Sequence, residues 1–138
     1  MEGKEISFAY VLVCLDPKIK DPLSRIFSSR FGAANYFMPT ELGGVKDLLS
    51  PEVESDKDRL IRKMKMAYRV HPFGLIVLVN HSNCGAYNLT GHTFADPSEE
   101  EKFHTEELKK AVAVIKKAFP EVAVEYHYFL KDEQRLAW

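Results

Sequence analysis

Two short blocks of unbroken apolar residues constrain what this chain can fold into more than any other feature. Residues 8–15 read Phe-Ala-Tyr-Val-Leu-Val-Cys-Leu, and residues 74–79 read Gly-Leu-Ile-Val-Leu-Val. Neither alternates with polar residues, so neither is a strand with one wet face. Runs this short and this rich in branched side chains fit strands buried on both sides, as in a parallel sheet covered by helices. They fall far short of the ~20 residues a membrane helix needs. The first block also fails as a secretory signal. It ends in Cys14-Leu15-Asp16-Pro17 with no small-residue cleavage site after it. A cytoplasmic setting is therefore expected, with both cysteines as free thiols or metal ligands.

The rest of the chain alternates around these blocks. A first strand is expected over 6–14. A helix follows over 21–30, with Asp21 as cap, Pro22 in its first turn and Gly32 just past its end. A short strand over 34–38 stops at Pro39, and Gly43-Gly44 marks a loop of unusual backbone angles or close approach. A helix starts at Ser55, with Asp58 near its positive end, and places Leu60, Ile61, Met64, Ala67 and Tyr68 at helical spacing before Pro72 ends it. After the 74–79 strand, Asp96-Pro97-Ser98 opens a long helix. Its apolar stripe is Phe103, Leu108, Val112, Ile115 and Phe119. Glu99 to Glu101 and Lys116-Lys117 match its dipole at the two ends. Residues 122–129 form a last strand. The expectation is a three-layer α/β sandwich with a mainly parallel central sheet. It forms one domain over residues 1–138, a length typical of a single core.

Composition excludes several classes. Nineteen Lys and Arg against 20 Asp and Glu give a net charge of -1, without the basic excess of a general nucleic-acid binder. Arg59, Arg62, Lys63 and Lys65 beside Tyr68 follow the helix repeat and read as a solvated face. At 46% hydrophobic the chain is too apolar for intrinsic disorder. Two cysteines cannot build a disulfide scaffold.

In parallel α/β sheets, ligands sit at the carboxyl ends of strands. Those ends hold the unusual residues: Cys14-Leu15-Asp16 after the first strand and His81-Ser82-Asn83-Cys84-Gly85 after the 74–79 strand. If the strands are neighbours, two thiols, an imidazole and a carboxylate meet. Two sulfurs favour zinc over harder ions. His81 and Cys84, three apart, can chelate one ion, and the positive end of the next helix would favour Cys84 as thiolate. Buried structural cysteines fit the same positions, since free Cys behaves as a small hydrophobe. His92 suits a surface position better than a proton shuttle. His71, His104 and His127 have no ligand-like company, and Glu41 has only a remote approach to the metal. The 131–138 tail with Trp138 is expected to pack on a partner or fray.

C-x-D after the first strand, H-x-x-C-G after a later one, the Gly43-Gly44 loop and the long helix ending in Phe119-Pro120 together resemble the β-class carbonic anhydrases over most of the chain. The resemblance implies zinc held by Cys14, His81 and Cys84, with water or hydroxide in the fourth position or Asp16 closing it. It implies reversible hydration of carbon dioxide to bicarbonate, and a homodimer in which the partner chain completes the pocket. Asp16 would orient the hydroxide or relay its proton, with Lys18 as its weaker partner.

Four departures from the family stand out. Lys18 replaces the arginine that, in the family, holds the aspartate off zinc by a two-pronged contact, which lysine cannot reproduce. Thr40-Glu41-Leu42-Gly43 replaces an Arg-Asn-Ala-Gly loop. Asn80 replaces the glycine before the histidine. Only residues 1–5 precede the first strand, so an N-terminal helical arm is expected to be missing. A non-catalytic structural or regulatory zinc protein closed by Asp16, and a hydrolase of a related linear molecule such as carbonyl sulfide, are the competing readings.

Overall fold

The computed structural model describes residues 8–138, so the expected strand positions 6 and 7 and the stretch before them lie outside the described residues. The elements run β1 (Ala9–Cys14), α1 (Pro17–Phe31), β2 (Tyr36–Phe37), β3 (Thr40–Glu41), α2 (Lys46–Leu49), α3 (Glu54–Val70), β4 (Leu75–His81), α4 (Gly85–Leu89), α5 (Pro97–Ala118), β5 (Ala123–Leu130) and β6 (Arg135–Leu136). The sheet order is β2-β1-β4-β5-β6, with β3 pairing β1 further along. Every pairing is parallel except β5 with β6. The two apolar blocks lie side by side, with Leu12 level with Leu78.

Alternation within each block now has a partner on both faces. Ala9, Val11, Val13, Leu75, Val77 and Val79 pack against Ile19, Leu23 and Phe27 of α1. Tyr10, Leu12, Ile76 and Leu78 pack against Leu48 of α2, Leu60 and Met64 of α3, and Leu108, Ala111 and Ile115 of α5. Helices on both faces give the three layers. Each fully buried Leu or Ile in these ladders contributes roughly 1.5–3 kcal/mol relative to exposure.

Several boundaries depart from expectation. Helix α1 starts at Pro17 rather than 21, because Asp16 caps it by accepting from the Lys18 N–H at 2.9 Å, with Pro17 at the first helical position. Pro22 is consequently inside the helix and leaves the Lys18 carbonyl without its helical donor. The side-chain amide of Gln134 donates to that carbonyl at 3.2 Å. The buried face of α5 runs through His104, Leu108, Ala111 and Ile115, with Phe103 and Val112 at its margins. Asp96 caps α5 as expected, accepting from the Glu99 N–H at 2.8 Å. The tail folds back on its own chain: β6 pairs β5, and the Trp138 indole N–H donates to Glu101 at 2.9 Å.

Candidate metal centre

The parallel register of β1 and β4 brings their carboxyl ends to one place. Cys14 is the last residue of β1 and His81 the last of β4. Cys84 precedes the five-residue α4 as its cap. One ligand atom from each of Cys14, His81 and Cys84 lies within 4.8 Å of the others. All three side chains are buried, His81 completely.

His81 has a fixed orientation. Its Nδ1 donates to the Ser82 carbonyl at 2.7 Å. That assignment makes Nε2 the unprotonated nitrogen, and Nε2 is buried without a hydrogen-bond partner. A buried polar atom left alone costs about 1–3 kcal/mol, so a lone pair aimed at two thiols is what a bound cation would satisfy.

Cys14 Sγ lies 3.9 Å from Cys84 Sγ and accepts the Gly43 N–H at 3.3 Å. The contact from Cys84, the nearby His81 and the Gly43 amide together hold the Cys14 thiol well below the ordinary thiol range, against the opposing effect of burial. Cys84 moves the other way, pushed up by its contact with Cys14 and by burial. Two sulfurs this close cannot both be anionic without a cation. Gly43 and Gly44 have φ of +83° and +62°. A Cβ at Gly44 would sit 3.3 Å from Asn80 Oδ1 and from the Val79 carbonyl, so the loop needs glycine to pass this close to the β4 tip.

Asp16 lies beside this cluster but its oxygens are engaged elsewhere. Oδ1 accepts the Lys18 N–H at 2.9 Å, and Oδ2 lies 2.6 Å from Lys131 Nζ. Burial alone would raise the Asp16 carboxyl; Lys131 and the Lys18 amide outweigh it and hold the group below its usual value. Lys18 is exposed and meets Asp16 through its main chain only, among the described contacts. Sequence reading missed Lys131, which carries no local signal and lies 115 residues from Asp16.

The remaining candidates fall elsewhere. Glu41 pairs with Cys14 along the backbone, but lines a surface hollow with Tyr10, Phe37 and Lys63 rather than joining the sulfur cluster. His92 packs on Phe103, ring centroids 4.8 Å apart. His104 is fully buried, with its Nδ1 2.9 Å from Asn80 Nδ2; Asn80 thus has a structural partner. A cavity of about 540 Å³ lies between α3 and the α5–β5 turn, lined by Arg62, Lys65, Tyr68 and Phe119. It sits at the amino ends of β4 and β5 and contains no cluster of metal-ligating side chains, so chemistry favours the Cys14–His81–Cys84 site. No helix among the described residues is long and apolar enough to cross a membrane.

Comparison with known proteins bears on this arrangement. A family model described as "Putative carbonic anhydrase" matches residues 4–136. A search of curated protein sequences returned no match. Among solved structures, a carbonic anhydrase from Streptococcus mutans aligns with TM-score 0.60 at 13% identity, over 96% of this chain and 81% of that one. A carbonic anhydrase from Glaciozyma antarctica aligns with TM-score 0.58 at 12% identity, over 93% and 79%. A carbon disulfide hydrolase in its apo form aligns with TM-score 0.57 at 16% identity, over 95% and 78%. At such identities the likeness is one of fold.

Proposed function

The chain belongs to the β-carbonic anhydrase family, and from that premise we propose that Cys14, His81 and Cys84 hold one zinc ion and that the protein hydrates carbon dioxide reversibly to bicarbonate. The observation that carries this reading is the buried, unpartnered Nε2 of His81 facing two thiols within 4.8 Å. Two sulfurs and one imidazole suit zinc. Zinc bound by three protein ligands supplies Lewis acidity that makes water a competent nucleophile near neutral pH.

The chain's own groups do the rest. Ser82, through its carbonyl, fixes the His81 tautomer. Gly43 donates to Cys14 and stabilises its negative charge. Asp16, two residues past Cys14 and held below its usual pKa, would accept a hydrogen bond from the attacking water and so orient it. Lys18 contributes its main-chain N–H to Asp16. A closed, non-catalytic site would require Asp16 to give up both of its donors.

We also place a second copy of the chain against the site's rim. Leu15, Leu42 and Leu89 are 49%, 56% and 87% exposed; all three flank ligand-bearing segments, and Leu42 and Leu89 line one hollow. A cytoplasmic setting suits two reduced thiols. Hydrolysis of a linear sulfur analogue of carbon dioxide is the second reading, favoured by the likeness to a carbon disulfide hydrolase. Stopped-flow hydration of carbon dioxide by the zinc-loaded protein, at pH 7 and above pH 8.5, tests the first. Rates above buffer are expected. Buffer-level rates at both pH values, with turnover of carbonyl sulfide instead, would favour the second.

A further inference from the structure

We propose that Lys131 is a positioning residue that keeps the Asp16 carboxylate out of the metal's fourth position. The inference rests on the metal reading above and concerns what holds that site open.

One residue reaches both ligand-bearing segments. Lys131 Nζ lies 2.6 Å from Asp16 Oδ2, beyond β1, and donates to the Asn83 carbonyl at 3.3 Å, between His81 and Cys84. Its main-chain N–H donates to Ser82 Oγ at 2.8 Å. The parallel ladder sets its height: Phe129 pairs with His81, and Lys131 follows two residues on. The turn after β5 is fixed as well. Gln134, with φ of +56°, donates from its side chain to the Lys131 carbonyl at 2.8 Å and to the Lys18 carbonyl at 3.2 Å. The Lys18 carbonyl is free because Pro22 has no N–H to offer it. The turn therefore grips the amino end of α1, where Asp16 is the cap.

The pair is also unusually sheltered. Lys131 and Asp16 side chains are 14% and 15% exposed, whereas both members of every other described Lys or Arg ion pair are at least 28% exposed. Surface ion pairs contribute little, but removing one member of a sheltered pair leaves an uncompensated charge. If Asp16 turned onto a metal, Lys131 would be left with the Asn83 carbonyl alone, and the Lys18 amide would lose its cap. Both costs oppose closure. Lys18 cannot do the same work, since it reaches Asp16 only through its backbone.

The test uses cobalt-substituted protein, whose visible spectrum reports coordination, with azide as an added exogenous ligand. Wild type is expected to bind one cobalt and to shift its spectrum with azide. Lys131→Met is expected to bind cobalt, lose the azide response, and lose carbon dioxide hydration at least 100-fold. Asp16→Asn with Lys131→Met removes the closing carboxylate and is expected to restore the azide response without restoring activity. Lys131→Arg, which keeps the charge, is expected to respond to azide like wild type. Circular dichroism monitors folding; if Lys131→Met does not fold, Lys131→Gln, which keeps a donor for Asn83, is read in its place. An azide response in the Lys131 variant equal to that of wild type would overturn this inference alone. Wild type that binds cobalt but ignores azide would overturn it too. Wild type that binds neither cobalt nor zinc would overturn the metal reading and this inference with it.

Discussion

The main-chain N–H of Gly43 donates to the sulfur of Cys14 across 3.3 Å. This contact joins the glycine loop after β3 to the first candidate ligand. It depends on a backbone that only glycine adopts easily, with φ of +83°. A Cβ there would also sit 2.8 Å from Lys46 Cβ and 3.2 Å from Ala86 Cβ.

Gly43→Ala is therefore expected to lower stability by about 2 kcal/mol, from the left-handed backbone and the clash together. It should weaken zinc binding by roughly 10-fold, the lower end for loss of a contact to a ligand atom. Urea unfolding and competition with a chromophoric chelator measure the two effects.

His104 is expected to make stability fall on the acid side. Burial among Tyr87, Phe103 and Tyr128, with His81 and His92 nearby, pushes its pKa down to about 3. In the unfolded chain the imidazole titrates near 6.5. Between those values the unfolded state binds the extra proton, so stability falls as pH falls through that window. The loss is on the order of 3 kcal/mol by pH 4. Urea midpoints from pH 7 to pH 4 should drop steeply for wild type and much less for His104→Gln.

Lys18→Ala keeps the amide that caps Asp16 and removes only an exposed side chain. Carbon dioxide hydration within about 2-fold of wild type is expected, since surface substitutions of this kind usually shift stability by less than ~0.5 kcal/mol. A loss near that of Lys131→Met would return the partner role to Lys18.

Leu89 is the most exposed large apolar side chain of the described residues. Leu89→Lys is expected to turn a dimer into a monomer, read by size-exclusion with light scattering. An unchanged mass would remove the α4 rim from the interface.

Much of this was legible in the chain itself. The two apolar blocks announced parallel strands because burial on both faces leaves no polar positions. The clustering of Cys14, His81 and Cys84 followed because these residues end those strands or adjoin them. Other features had no local signature. Two-residue strands such as Thr40–Glu41 and Arg135–Leu136 are too short for any period. Asp21 and Pro22 mimic a helix start, and only the tertiary setting makes Asp16 the cap. His104 was recoverable, since it shares the i, i+4, i+7, i+11 face with Leu108, Ala111 and Ile115. Lys131 was not: its partner is distant in sequence, and only the pairing of β4 with β5 brings it to Asp16.

Zinc K-edge X-ray absorption on the zinc-loaded protein at pH 7 tests the central claim most directly. The account predicts two sulfur ligands, one imidazole nitrogen and one light-atom ligand from exchangeable water, with the spectrum of Asp16→Asn showing the same first shell. A shell of four protein ligands in wild type, changed by Asp16→Asn, would contradict it.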